Sequence, residues 1–181
     1  MTIHIVLDLE TFGTGPHAAI ASIGASSFRL GRNEMNGAFY CSVSGGYRDG
    51  FEVDPETVRW WLKQSQEARD ALSVNLKSLP DSLHEFSAWV RSRYASVGKD
   101  ASDIRMWGNG SAFDNVILRH AYSVCGLTPP WDFRQDRDLR TILELYPYAD
   151  QGLFEGTKHH ALDDAVHEAM TLKQALEMHY P

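Results

Sequence analysis

The first quarter of the chain alternates apolar and polar positions in a way that is typical of extended strands. Residues 3–9 carry β-branched and apolar side chains and predict a buried strand. Segments 20–30 and 38–43 have the same character, and the polar turn 31–37, with glycine at both ends, joins them. These three segments predict an antiparallel meander.

The rest of the chain shows helical spacing, interrupted by one strand at residues 104–107. Asp54 and Pro55 predict a helix start, because aspartate accepts from a free backbone N–H and proline suits the first helical position. Gly126 predicts a helix end. The predicted helices begin at residues 55 and 80 and span residues 113–125, 137–145 and 160–178. In helix 113–125, the stripe expected to face the core is Phe113, Val116, Ile117, Ala121 and Val124.

The order of these elements predicts the fold class. Three consecutive strands, followed by helices that alternate with a strand, favour an α/β fold with a mixed sheet, in which helices pack on an antiparallel meander and parallel strands. This order matches the ribonuclease H-like arrangement. No internal repeat, low-complexity tract or linker interrupts the chain, so we expect residues 1–181 to form a single domain.

Composition narrows the cellular setting that we expect. No apolar run approaches the ~20 residues that a bilayer-spanning helix needs. Residues 1–4 lack the basic start and the cleavage site of a signal peptide. Cys41 and Cys125 are too far apart in the chain to form a metal-binding pair. We therefore expect a cytoplasmic protein with reduced thiols.

The formal net charge of −7 argues at first against a nucleic-acid partner, since phosphate binders are usually basic. Bound divalent cations would offset part of this charge and must be counted with it. The remaining acidity still argues against a protein that coats long stretches of duplex. It fits better with an enzyme that grips a few nucleotides at one end.

Two carboxylates close the first predicted strand, in the segment Asp8-Leu9-Glu10-Thr11. Residues two apart on a strand point to the same face, so Asp8 and Glu10 lie side by side. Adjacent carboxylates repel each other unless a cation lies between them, and such oxygen ligands suit Mg²⁺ or Mn²⁺. A strand that merely ends at the surface would also explain a lone acid pair, but this strand is predicted to be buried, where unpaired acids are costly.

Two later segments add further candidates, each ambiguous when taken alone. Asp114 stands at a predicted helix start, where the helix dipole favours an acid by ~0.3–1 kcal/mol, and Asn109 or Ser111 could cap that helix equally well. His159 precedes the last predicted helix, and Asp164 lies about one turn inside it. A solvated helix start would explain the last pair, and the chain has 8 histidines.

Together the segments place acids at a strand end and at two helix starts, in an order that lets them converge. Four carboxylates can hold two divalent cations ~3.5–4 Å apart beside one phosphate, where the cations activate a water and stabilise the departing 3′ oxygen. Histidine, with an unperturbed pKa of ~6.5, suits the general base. The combination predicts a metal-dependent nuclease.

The three segments resemble the blocks of the DEDDh branch of the DnaQ-like 3′–5′ exonuclease superfamily. The blocks appear as Asp8-Leu9-Glu10-Thr11, Asn109-x3-Phe113-Asp114 and His159-x-Ala161-x2-Asp164, and they span nearly the whole chain. Further similarity, in Asp54-Pro55-x-Thr57-x3-Trp61 and Trp107-Gly108-Asn109-Gly110, is closer to the compact phage and prophage exonucleases and related bacterial exoribonucleases.

The resemblance implies roles for individual residues. Two Mg²⁺ or Mn²⁺ ions would be held by Asp8, Glu10, Asp114 and Asp164, and His159 would be the base. The family spacing selects His159 over His160 and Asp164 over Asp163. Substrate contacts are expected from Thr11, Phe12, Trp61 and Asn109. The substrate would be the 3′ end of single-stranded RNA or DNA, and a homodimer is common among relatives.

Residues around the site leave more than one interpretation open. Adjacent helix residues point in different directions, so at most one of Trp60 and Trp61 is expected to face the ligand, where stacking on a base is worth ~1–3 kcal/mol. The basic residues that could meet phosphates, which the sequence does not rank, are Arg59, Lys63, Arg119, Arg137, Arg140 and Lys158.

Other functional classes compete with the exonuclease. A catalytically silent nucleic-acid-binding module could keep the fold, but all five catalytic positions are filled here. An endonuclease fits less well, because the histidine block belongs to the exonuclease branch. A structural zinc site built from His159, His160 and His167 lacks nearby cysteines.

Overall fold

Six strands of the described residues form one sheet, flanked by six α-helices. The computed structural model describes residues 2–32, 35, 37–44, 49–149 and 152–179. The strands are β1 (Ile3–Thr11), β2 (Ile20–Phe28), β3 (Ala38–Ser44), β4 (Lys77–Ser78), β5 (Ile104–Gly108) and β6 (Asp136–Asp138). The helices are α1 (Pro55–Trp61), α2 (Gln66–Ala71), α3 (Leu79–Ala95), α4 (Asp114–Val124), α5 (Leu139–Leu145) and α6 (Ala161–His179). Within these ranges, no helix has the length and apolar character needed to cross a bilayer.

The sheet has the order β4-β3-β2-β1-β5-β6 and mixes both strand directions. β1, β2 and β3 pair antiparallel, whereas β5 and β6 continue the sheet parallel to β1. The predicted mixed α/β fold and its meander are therefore confirmed. Of the predicted turn 31–37, Asn33, Glu34 and Asn36 lie outside the described residues.

The alternation of β1 divides the core between the two faces of the sheet. Ile3, Ile5 and Leu7 join the larger apolar cluster, which includes side chains of α3 and α4. Val6 joins the second cluster, with side chains of α5 and α6. Since residues two apart share a face, the acids that follow Val6 at even positions are directed toward α6.

Helix α4 corrects the predicted apolar stripe. Val116 and Val124 are 40% and 38% exposed, so they do not belong to the core. Ile117 and Ala121 of the predicted stripe are fully buried, and Leu118 and Tyr122, which the prediction left out, are fully buried beside them. Leu118 and Tyr122 lie one turn apart on the same face as Ile117 and Ala121, and Tyr122 reaches Ser87 of α3 through a 2.7 Å hydrogen bond between the two hydroxyl groups. The packing of α4 against α3, which the sequence did not reveal, decided which face of α4 points to the core.

Several short elements were not predicted. Helix α2 has only 6 residues and β4 has 2, too few for a periodic pattern. The predicted helix 137–145 is wrong at its start, because Asp136–Asp138 pairs with β5 as β6. Helix α5 then begins at Leu139, and the Asp138 side chain caps it by accepting from the Thr141 N–H at 2.9 Å.

Candidate active site

The end of β1 carries the first two acids, on the face covered by α6. Asp8 pairs with Gly24 of β2, and Glu10 pairs with Ser22. A Cβ at Gly24 would overlap the backbone of Ala161, the first residue of α6. Glycine at this position therefore lets the start of α6 approach the sheet beside Asp8.

Asp114, at the start of α4, is held against β1. It is only 4% exposed, and its Oδ1 accepts a hydrogen bond from the Leu9 N–H at 3.1 Å. No side chain caps α4, so neither Asn109 nor Ser111 has the capping role that the sequence left open. The contact with Leu9 places the Asp114 carboxylate next to the strand that bears Asp8 and Glu10.

His159, on the loop before α6, and Asp164, in the first turn of α6, approach the same acids. The Asp164 Oδ2 accepts from the His159 N–H at 2.8 Å, and His159 has a left-handed backbone with φ 65. Ligand atoms of Glu10, His159 and Asp164 all lie within 4.8 Å of one another, close enough to share one cation.

The neighbouring pair in the same segment has other partners. Asp163 accepts from the Thr157 N–H at 2.8 Å, and one of its oxygens lies 3.4 Å from His160 Nδ1. The His160 ring stacks on Tyr40, with ring centroids 4.3 Å apart. These contacts direct Asp163 and His160 to positions different from those of His159 and Asp164.

The structure adds Glu168, a carboxylate that the sequence analysis missed. It lies one helical turn after Asp164 on α6, and its Oε1 accepts from Asn109 Nδ2 at 2.6 Å. The Asn109 Oδ1 in turn accepts from Arg140 Nε at 3.2 Å. The i, i+4 spacing of Asp164 and Glu168 was a readable signal, since such residues share a helix face.

Burial and mutual repulsion raise the pKa values of these acids. Burial is the main cause that raises the pKa of Glu10 and of Glu168 to about 8 and that of Asp114 to about 7. Burial, with repulsion from Glu168 and Asp114, raises the pKa of Asp8 well above its usual range, and burial also raises the pKa of Asp164. Two buried acids, Glu10 and Asp114, and three half-buried ones thus resist ionisation together, and a divalent cation would relieve this.

Two cavities adjoin the acids. One of about 430 Å³ is lined by residues that include Asn109, Lys158, His159, Asp164, His167 and Glu168. The other, of about 470 Å³, is lined by residues that include Glu10, Thr11, Thr57, Trp60, Trp61 and Phe113. His159 therefore borders one open space and Glu10 the other, and each space has the size that a small ligand needs.

The predicted substrate residues occupy different environments. Thr11 is 7% exposed and its hydroxyl donates to the Gly13 carbonyl at 2.7 Å. Trp61 is 4% exposed and its Nε1–H donates to the Thr11 carbonyl at 2.9 Å, so Trp61 supports the chain after β1. Trp60 is 41% exposed and contacts the His159 ring edge-on at 4.8 Å between centroids. Phe12 is half-buried, and its backbone N–H donates to the Ala19 carbonyl at 2.8 Å.

The contacts of the basic residues separate them, which the sequence could not do. Arg59 pairs with Glu56, and Arg119 pairs with Asp136 at 2.8 Å. Arg140 reaches the acids through Asn109, and it lowers the pKa of Asp114 and Glu168 against the effect of their burial. Lys158 lines the first cavity. Arg140 and Lys158 are thus two members of the predicted set that lie beside the acid cluster.

The fold and the clustered acids define a nuclease of the ribonuclease H-like class, and comparison with known proteins agrees. Residues 3–176 match the family model of the 3′-5′ exoribonuclease Rv2179c-like domain. The exodeoxyribonuclease of Enterobacteria phage T4 is 24% identical over a 204-residue alignment, which covers 94% of this chain and 88% of the phage protein.

Solved structures share the fold at low identity. The crystal structure of cell-death related nuclease 4 gives a TM-score of 0.69 at 14% identity and covers 98% of this chain, which spans only 64% of that nuclease. The nuclease domain of 3′hExo, a DEDDh family member bound to rAMP, gives a TM-score of 0.64 at 16% identity and covers 97% of this chain and 92% of that domain.

The family match confirms the predicted 3′–5′ exonuclease, and the fold is the one that the DEDDh family member 3′hExo also has. More narrowly, it belongs to the family of the 3′-5′ exoribonuclease Rv2179c-like domain.

Proposed function

We propose that the protein removes nucleoside 5′-monophosphates one at a time from the 3′ end of single-stranded nucleic acid, by hydrolysis that depends on two divalent cations. The observation that carries this proposal is the convergence of Asp8, Glu10, Asp114 and Asp164 from β1, α4 and α6, with His159 beside them. Family membership favours RNA, since the matching model describes an exoribonuclease.

The donor set fits Mg²⁺ or Mn²⁺. Carboxylate oxygens are the ligands that these cations prefer, and the raised pKa values of Glu10 and Asp114 show how unfavourable their joint ionisation is without a counter-charge. Asp8, Glu10, Asp114 and Asp164 would hold the pair. When bound, the cations would lower the pKa of a water and neutralise charge on the phosphate and the leaving oxygen.

His159 would act as the general base. It lies on the loop before α6, and a ring nitrogen is close enough to ligand atoms of Glu10 and Asp164 to take a proton from a water bound between them. The Trp60 ring lies edge-on against the imidazole, and the Asp164 carboxylate anchors the His159 backbone. These contacts restrict the orientation of the ring.

The cavity on the Trp60 side would take the terminal nucleotide. Trp60 offers an exposed aromatic surface for a base, while the chain at Thr11, supported by Trp61, would line the sugar. On the other side, Lys158 and Arg140 would attract backbone phosphates in a protein that is otherwise acidic. The proposal includes Asn109 only indirectly, as the residue that holds Arg140 and Glu168.

A labelled-substrate assay tests the proposal. Matched RNA and DNA oligomers carrying a 5′ label are incubated with Mg²⁺, Mn²⁺ or chelator, and Asp8→Asn protein serves as the control. We expect a ladder that shortens from the 3′ end with either cation, more rapidly on RNA, and none with chelator or with the variant. Binding without shortening would identify the catalytically silent module instead, and internal cuts would identify an endonuclease.

A further inference from the structure

The two carboxylate oxygens of Glu168 have different surroundings. Its Oε1 is fixed by the 2.6 Å hydrogen bond from Asn109, whereas its Oε2 is buried and has no hydrogen-bond partner in the described part of the chain. No basic side chain among those residues forms an ion pair with it. A buried carboxylate oxygen without a partner costs free energy, so its retention calls for a ligand.

The position of Glu168 shows where that ligand would lie. Glu168 lies one turn from Asp164 on α6, and it lines the cavity that His159 and Asp164 also line. Glu168 therefore adjoins the space beside His159 and Asp164, two of the residues predicted to form the cation site.

We propose that Glu168 is a fifth carboxylate of the cation centre, positioned by Asn109, and that its charge and free oxygen strengthen binding of a divalent cation on the side of Asp164. This inference rests on the proposed function, since it requires that the acids bind a divalent cation. It adds a residue that lies outside the three family motifs, and it gives Asn109 a positioning role toward Glu168.

The hydrogen bonds of Asn109 with Glu168 and Arg140 explain why an amide is needed at position 109. An amide at position 109 can donate to Glu168 with its nitrogen and accept from Arg140 with its oxygen, and the structure shows both contacts. Arg140 therefore sets the orientation of the amide, which in turn leaves only one Glu168 oxygen for a cation or for a water bound to it. A carboxylate at position 109 would repel Glu168.

Manganese binding by the protein without nucleic acid tests the inference. Glu168→Gln has nearly the same shape and can still accept from Asn109, but it loses the charge. We expect calorimetric titration with Mn²⁺ to give a Kd raised by about tenfold or more, the size of effect that outer ligands have on metal sites. Glu177→Gln is the matched control on the same helix, because Glu177 pairs with Lys173 at 2.9 Å and should keep the wild-type Kd.

A second readout excludes a merely structural role. If Glu168 only stabilised the fold, Glu168→Gln would lower the Tm of the cation-free protein and leave the Kd unchanged, and that result overturns the inference. We expect the reverse: an unchanged or higher Tm without cation, and a smaller rise in Tm when Mn²⁺ is added. Glu168→Asp, which keeps the charge, should fall between Gln and wild type in Kd.

The outcomes also separate this inference from the proposed function. Wild-type protein that shortens RNA and binds Mn²⁺, together with Glu168→Gln protein of equal Kd, removes Glu168 from the centre and leaves the exonuclease intact. Wild-type protein that binds no Mn²⁺ overturns both.

Discussion

At the scale of single residues, carboxylates of the same site differ in the hydrogen bonds that they accept. Asp114 Oδ1 accepts from the Leu9 N–H, so this acid also satisfies the backbone of β1. Asp8 has no such hydrogen bond in the described chain, and its surroundings are dominated by other carboxylates. Replacement of these two acids should therefore affect catalysis alike but stability differently.

Asp8→Asn should abolish cleavage without destabilising the fold. It removes one charge from a group of mutually repelling acids, so the Tm measured in chelator at pH 8 should equal or exceed that of wild type. Scanning calorimetry and the oligomer assay measure both effects. Turnover like that of wild type would contradict the assignment of Asp8.

Asp114→Ala should abolish cleavage and also destabilise the protein. It leaves the buried Leu9 N–H without an acceptor, which costs about 1–3 kcal/mol. Asp114→Asn is the matched control, because its amide oxygen can still accept from Leu9, so it should be inactive but retain most of the stability. Denaturant unfolding distinguishes the two; equal stability of both variants would show that the Leu9 contact contributes little.

His159→Ala should lower turnover by about 10²-fold or more, the usual contribution of a general base, while the Mn²⁺ affinity survives. His160→Ala is the control, since His160 stacks on Tyr40 and lies near Asp163. Single-turnover cleavage and calorimetry provide the two readouts. Loss of Mn²⁺ binding together with activity would make His159 a cation ligand and not the base.

At the scale of elements, α6 and the loop before it bring the histidine and two acids to the end of β1. Asp164 and Glu168 lie one turn apart in the first half of this helix, and the left-handed backbone of His159 turns the preceding loop into it. The close approach depends on Gly24 of β2, opposite Asp8, because any larger residue would meet the backbone of Ala161.

Gly24→Ala should therefore displace α6 and weaken Mn²⁺ binding as well as stability. The added Cβ overlaps backbone atoms, which cannot move aside as a flexible side chain would. Gly15→Ala is the control, because a Cβ there would meet nothing closer than Glu52 Oε2 at 3.5 Å. A Gly24→Ala protein with wild-type Tm and Mn²⁺ affinity would show that the start of α6 tolerates a shift.

At the scale of the whole molecule, buried titratable groups link stability to pH and to cations. Glu10 and Glu168 have pKa values of about 8 in the folded chain, against ~4.3 for glutamate in an unfolded chain. Burial lowers the pKa of His4 to about 4, so His4 affects stability only below the ordinary histidine pKa of ~6.5. Between about pH 6.5 and 8, the raised pKa values of the two glutamates therefore determine whether the free energy of unfolding rises or falls with pH.

In chelator, the free energy of unfolding should fall as the pH rises from about 6.5 to 8. In this range the folded state binds more protons than the unfolded state, so raising the pH favours unfolding. With saturating Mg²⁺ the slope should flatten, because the cation replaces the protons. Urea unfolding at several pH values measures this dependence. Glu10→Gln is the control: it lacks one titrating carboxyl group, so its free energy of unfolding should change less with pH. Stability in chelator that rises with pH would contradict these pKa shifts.

The sequence alone determined the meander, the mixed sheet, most helices and the three motifs, because strand alternation, helical spacing and capping are local properties of the chain. Asp8 and Glu10 share a face whatever the rest of the fold does. Local patterns could not reveal β6, whose three residues form a strand only by pairing with β5. Nor could they show that Val116 faces outward, which depends on where α3 packs.

Only the tertiary structure decided which partners these residues meet. It set Asn109 between Arg140 and Glu168, placed Trp60 rather than Trp61 at the surface beside His159, and left one Glu168 oxygen buried and unpartnered. Each of these facts joins residues that are distant in the chain. Burial and electrostatic repulsion depend on such distances in space, so the charge state of the site was settled by folding and not by spacing along the sequence.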